Sequence, residues 1–208
     1  MPRNTYRLQS GEIVPGVTTI CNIMGKGDSL INWAWECGKK GLDWRQERDS
    51  AGDTGTIVHE VIMNFLTGEE LPSYSDPVVD KCFDKFKKWW KSQPVSSMLV
   101  EKPLVSERYG FGGQFDLYIE DEKKIVDIKT SNGIYDSYWI QLAGYDILLR
   151  EHGYKVDEYQ ILWLPKDDRF DAPLRTELRK EKQIFRNLLS IYKLTHNHGP
   201  MQVSRETI

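Results

Sequence analysis

Two short apolar runs, separated by a charged turn, constrain this chain more than any other stretch. The first is Gly112-Gly113-Gln114-Phe115-Asp116-Leu117-Tyr118-Ile119, and the second is Lys124-Ile125-Val126-Asp127-Ile128-Lys129-Thr130. Phe115, Leu117 and Ile119 alternate with Asp116 and Tyr118, which is the period of a strand. Glu120 to Lys123 interrupts both apolar runs and predicts a hairpin turn. Period two places Asp127 and Lys129 on one strand face, and the hairpin can bring Asp116 beside them. Two carboxylates and an ammonium on one sheet face are costly unless a cation compensates them. Two readings follow: a strand-end ion pair of Asp127 with Lys129 and a solvated Asp116, or a divalent-metal site with a lysine beside it.

The rest of the chain supplies the surroundings. Ile13 to Ile20 places a Pro15-Gly16 turn before a β-branched run, leading into a strand or a short helix through Met24. A helix is expected from Leu30 to about Arg48, capped by Asp28-Ser29, with Leu30, Trp33, Ala34 and Cys37 on one face. A second is expected from Asp53-Thr54 to Leu66, ended by Thr67-Gly68. Ile57, Val58, Val61, Ile62 and Phe65 form its apolar stripe, and His59 and Glu60 lie off it. Gly52 and Gly55 allow its start to approach another backbone. Asp76-Pro77 opens a third helix with a lysine row, either a solvated face or a phosphate track. Strands are expected around Leu99 to Glu101, Leu104-Val105 and Val156 to Leu164, with a helix from Asp136 to Glu151 between the hairpin and the last of these. That order predicts a right-handed crossover to a parallel neighbour. A final helix is expected over Arg179 to Leu194.

With 208 residues, 39% hydrophobic and 12% aromatic, the chain can bury a substantial core. One domain is expected: a mainly helical part over 1–95, a sheet core over 96–165, and a C-terminal strand and helix over 166–208. The net charge of -3 argues against a generally basic coat, though an acidic cluster can hide a local basic groove. Cys21, Cys37 and Cys82 are too few and too widely spaced for a four-cysteine cluster, and are expected as buried free thiols. No signal peptide and no membrane span are expected, so the anticipated compartment is cytoplasmic, the host's if the gene is a phage's.

The ordered motifs Gly55-Thr56-Ile57-Val58-His59-Glu60, Gly113-Gln114-Phe115-Asp116, Asp127-Ile128-Lys129-Thr130 and Gln141-Leu142-Ala143-Gly144-Tyr145, preceded by Pro15 to Ile20, resemble the PD-(D/E)XK nuclease superfamily. Within it the chain looks like the RecB-type branch of phage exonucleases and the mitochondrial genome maintenance exonuclease, over residues 13–165. It departs from the iron–sulfur members, whose four cysteines it lacks, so no iron–sulfur cluster is expected. The resemblance implies an α/β, restriction-endonuclease-like core: a central mixed sheet flanked by helices, with an N-terminal helical part.

It also implies a site. His59, Asp116, Asp127 and the carbonyl of Ile128 would hold one or two Mg²⁺ or Mn²⁺ ions. Lys129 would orient or deprotonate the attacking water, or bind the phosphoryl oxygen. Glu101 is either a further acidic residue of the site or an exposed strand residue. Gln141 would bond a phosphate or the Lys129 region, Tyr145 would contact DNA or pack beneath it, and Thr18 and Thr19 would donate to the backbone. The expected activity is hydrolysis at DNA ends, with single-strand preference, in phage DNA metabolism, recombination or repair. The alternatives are an endonuclease or a non-catalytic nucleic-acid-binding module. Beyond DNA, the expected partners are a recombination protein or further copies of the chain, as a homo-oligomer.

Overall fold

The computed structural model describes residues 5–25 and 27–196. The strands β1 (Tyr6–Arg7) and β2 (Ile13–Val14) form a small antiparallel pair, followed by a short helix α1 (Val17–Cys21). The run after Pro15-Gly16 is therefore helical. Then come α2 (Gly27–Lys39), α3 (Trp44–Thr67) and α4 (Pro77–Trp90).

One long helix through Arg48 was expected, and the chain makes two. Gly41 sits at φ 70, and the Leu42 N–H turns back to the Cys37 carbonyl at 2.9 Å. A left-handed glycine ends the first helix there. Asp43 then starts the next by accepting the Arg45 N–H at 2.8 Å, so α3 begins at Trp44, well before Asp53. The helix runs through Gly52 and Gly55 despite their poor propensity. Asp28 and Ser29 fall within α2, and their side chains and that of Leu30 lie outside what the structure describes. The other ends agree with expectation: Gly68 closes α3 at φ 75, and Asp76 caps α4 through Val78 N–H.

The sheet region follows as β3 (Met98–Val100), β4 (Pro103–Ser106), β5 (Phe111–Gln114), β6 (Leu117–Ile119) and β7 (Lys124–Lys129). After it come α5 (Asp136–Glu151), β8 (Glu158–Trp163), β9 (Leu174–Arg175) and α6 (Arg179–His196). Five strands pair in the order β3-β6-β7-β8-β9; only β7 and β8 are parallel. This is the mixed sheet expected of a restriction-endonuclease-like core.

The first apolar run is not one strand. β5 pairs with β4 in a separate two-stranded sheet, whereas β6 pairs with β3 in the main one. Both ladders keep one register, and the interruption falls at Glu101-Lys102 on one side and Phe115-Asp116 on the other. Glu101, at φ 45, donates its N–H to the Asp116 carbonyl at 3.0 Å. The hairpin thus bends at the two acidic residues.

Each sheet face covers its own core. Tyr118, Ile125, Tyr159 and Ile161 pack with α1, α5 and α6, while Leu117, Ile119, Val126, Ile128 and Leu162 pack with α3 and α4. Helix α5 is buried nearly all round, which matches its position over the sheet. Gly144 on α5 has no room for a side chain: a Cβ there would lie 2.7 Å from the Phe185 ring and 3.0 Å from Val17. Gly144→Val is expected to destabilise the fold by about 1–3 kcal/mol through overpacking, read as a lower urea midpoint at unchanged slope.

Candidate active site

The carboxylate pair comes from strand register. Leu117 pairs with Val126, so Asp116 and Asp127 follow as neighbours just beyond the end of β6. There β7 has lost its backbone partner on the β6 side, and the Ile128 N–H is satisfied instead by Asp116 Oδ2 at 2.7 Å. The structure thus shows the N–H of Ile128 engaged at the site. Asp127 is only 1% exposed and faces Lys129, whose Nζ lies 2.9 Å from Oδ1 and 2.8 Å from Oδ2. The ion pair of the first reading is therefore present, but Asp116 is not solvated: it belongs to the same cluster.

His59 arrives from the opposite helical layer. Its Nε2 lies 3.0 Å from Asp116 Oδ2, and its Nδ1 lies 3.4 Å from Glu101 Oε1. The close approach of α3 explains the glycine of the Gly-x-x-x-His spacing. A Cβ on Gly55 would sit 2.8 Å from Thr130 Oγ1, just past the end of β7. Gly52 meets nothing within 4 Å, so only one of the two glycines serves this contact. Glu60 is exposed and turned away from the cluster.

The charges are strongly interdependent. Burial pushes the Asp127 carboxyl up and Asp116 adds to this, while Lys129 opposes; the result is a pKa of about 6. Asp116 is also penalised by burial, but His59, Lys129 and the Ile128 N–H outweigh that and hold it below the ordinary value. For His59, burial disfavours the cation, yet Asp116 and Glu101 prevail and raise it to about 10. Lys129 is raised likewise: burial opposes its charge, and Asp127 and Asp116 overcome it. Imidazolium and ammonium thus neutralise the carboxylates. Among the described residues, no three of His, Cys, Asp and Glu already stand at the spacing of a metal cage. Asp127 Oδ2 and His59 Nδ1 are nevertheless buried without a well-aligned hydrogen bond.

Helix α5 and helix α1 form the other wall. Gln141 Nε2 donates to the Tyr145 hydroxyl at 2.8 Å and reaches Thr18 Oγ1 at 3.5 Å. Tyr145 is buried beneath the carboxylates, so it packs under the site; burial, then Asp116 and Asp127, push its hydroxyl well above the ordinary value. Thr18 and Thr19 are exposed. Cys21 of α1 is held at about 12 by burial, with Asp127 adding, so it is an inert thiol. All three cysteines are free and buried.

Tyr138 was missed by sequence reasoning. Its ring lies 5.0 Å from Lys129 Nζ. The signal was present, since Tyr138, Gln141 and Tyr145 share one face of α5 at helical spacing. The lysine row of α4 is largely structural: Lys81 pairs with Asp168 at 2.8 Å, Lys87 with Asp84 at 2.8 Å, and Lys85 holds the Pro165 carbonyl at 2.7 Å.

The sequence matches no known family profile, and no curated protein matches it. Solved structures to which it is similar include a candidate exonuclease from Eubacterium rectale, at 15% identity and a TM-score of 0.49 over 68% of this chain and 65% of that one. A phage-related exonuclease from Haemophilus somnus 129PT matches at 15% identity and a TM-score of 0.40, over 90% of this chain and 94% of that one. An alkaline exonuclease from Laribacter hongkongensis matches at 13% and 0.38, over 67% and 81%. With TM-scores below 0.5, these likenesses leave the fold to the sheet's own topology and the chemistry to the side chains. The residues of the ordered motifs lie as follows: His59 on helix α3, Asp116 in the break just before β6, Asp127 on β7, and Gln141 and Tyr145 on α5.

Proposed function

We propose that the chain is a divalent-metal-dependent deoxyribonuclease of the RecB-like PD-(D/E)XK type, acting at DNA ends and preferring single strands, in phage DNA metabolism, recombination or repair. The observation that carries this reading is the convergence of Asp116, Asp127 and Lys129 with His59 and Glu101 in one partly buried cluster. Its donors suit a hard divalent ion: a carboxylate on β7 and another just before β6, an imidazole beside them, and a buried Asp127 oxygen without a well-aligned hydrogen bond. Asp116, Asp127, His59 and the Ile128 carbonyl would hold it, with Glu101 beside His59. When bound, the ion lowers the pKa of a water and polarises the phosphoryl group.

The protein's own groups do the rest. Asp127 and Asp116 favour the charged form of Lys129, which would serve as a cation for the developing phosphoryl charge. Asp127 fixes its position from one side, and the Tyr138 ring from another. Gln141, whose Nε2 is tied to Tyr145 and Thr18, holds that wall of the site in place. Linear and circular DNA, single- and double-stranded, incubated with Mg²⁺ or Mn²⁺ test the activity. Loss of linear single strands with circles intact is expected; cut circles would make the enzyme an endonuclease, and no cleavage in either metal would remove the reading.

Two further outcomes follow. Mn²⁺ at a hundred times its dissociation constant should stabilise the fold by about 2.7 kcal/mol, or about 5–10 °C in Tm, and Asp116→Asn should abolish the shift. Tyr138→Leu should lower kcat about threefold to tenfold, the worth of one cation–π contact, with KM unchanged, while Tyr138→Phe retains the wild-type rate.

A further inference from the structure

A cleft of about 940 Å³ opens beside the cluster, bounded by the β1–β2 hairpin, α1, the β4–β5 turn and the end of α6. We propose that it is a subsite for a single nucleic-acid strand, holding the nucleotides next to the scissile phosphate; this rests on the nuclease reading of the cluster.

Continuity is the first argument. Thr18 and Tyr145 line the cleft and both bond to Gln141 on the wall of the site, so the cleft adjoins that wall. Its far wall is built from two elements locked together: Lys193 Nζ of α6 donates to the Tyr109 carbonyl at 2.7 Å. Arg108 lines the same cleft, and its guanidinium lies 5.1 Å from the Tyr109 ring. One turn along, Tyr192 and His196 stack with centroids 4.1 Å apart and planes 6° from parallel. Cations beside flat rings suit an unpaired strand, whose phosphates take the charge and whose bases stack. The volume lies within the range of about 300–1,000 Å³ typical of sites for ligands of nucleotide size.

Two carboxylates line the cleft as well. Glu107 is turned to the hairpin, where its Oε1 accepts the Gln9 N–H at 2.9 Å, and Glu12 is exposed. Positive and negative charges are therefore nearly balanced, so the two cations and the stacked rings share recognition and the salt dependence is shallow. Two phosphate contacts on a single strand give a salt slope of about -1.4.

The test uses the full chain and labelled oligothymidylate of twelve nucleotides, with EDTA to stop cleavage. Anisotropy titrations at several salt concentrations should give that shallow slope for the wild type. Arg108→Ala/Lys193→Ala should weaken binding tenfold or more and flatten the slope, and Tyr192→Leu should weaken binding with the slope kept. Hydrolysis of bis(p-nitrophenyl) phosphate, too small to reach the cleft, should be unchanged in all variants. Wild-type affinity in the double variant overturns the proposal, as does equal binding of a duplex of that length. Loss of small-ester hydrolysis together with binding also counts against a separate subsite. If the wild type hydrolyses nothing in either metal, yet holds the oligonucleotide through Arg108 and Lys193, the nuclease reading fails and the cleft stands.

Discussion

Asp127→Asn is expected to reduce DNA hydrolysis about a thousandfold, equivalent to about 4 kcal/mol of transition-state stabilisation. The amide keeps the shape of the carboxylate but removes the charge that holds both a cation and Lys129. The fold should survive, because the neutral side chain also removes the repulsion between Asp127 and Asp116. Lys129→Met separates the roles. It should cost about a hundredfold to a thousandfold in rate by removing one charge-stabilising donor, while leaving the Mn²⁺-induced rise in Tm in place. A variant of Asp127 that still cleaves at a tenth of the wild-type rate, at equal metal, would falsify the assignment of the cluster as the catalytic centre.

Asp146→Ala should act on stability instead, costing about 3–5 kcal/mol. This carboxylate is fully buried on α5. Its Oδ1 accepts the Tyr159 hydroxyl and the Arg150 Nε, both at 2.8 Å, and Lys182 Nζ stands 2.6 Å from Oδ2. One side chain thereby joins α5 to β8 and α6. Removing it strands the Tyr159 hydroxyl and Lys182 without their acceptor, and breaking a buried pair from one side is the expensive direction. Chemical denaturation followed by tryptophan fluorescence measures the loss. Asp146→Ala should leave Mn²⁺ binding by the folded protein intact, since Asp146 makes its contacts away from the cluster. A loss below about 1 kcal/mol would mean that the network adds little beyond a surface ion pair.

These two aspartates differ in how visible they were. Asp127 could be singled out because strand parity puts it beside Lys129 and the hairpin brings Asp116 near. Asp146 carried no such mark: its partners lie on other elements or a turn away, and a charged residue on a helix reads as solvated until its neighbours are known. The N-terminal helices show a similar division. Asp76-Pro77 and Thr67-Gly68 were legible because capping is settled by a few adjacent residues. Gly38 and Gly41 marked a weak middle of the expected helix, but no break was placed there because a helical apolar period continues on either side; the left-handed glycine followed by the Asp43 cap outweighs it. The bend at Glu101 and Asp116 was hidden as well, since alternation persists through Phe115 to Ile119 although the two halves of the run join different sheets.

What local sequence settled by itself was the period of each strand and helix, and with it the face on which each charge lies. Those are properties of the backbone repeat, and they need no distant partner. Only the tertiary structure decided that His59 meets Asp116 and Glu101, because that contact depends on α3 closing against Thr130 at Gly55. It also decided the protonation of the cluster. A pKa is set by burial and by charges a few ångströms away, and those distances exist only once the sheet and both helical layers have packed.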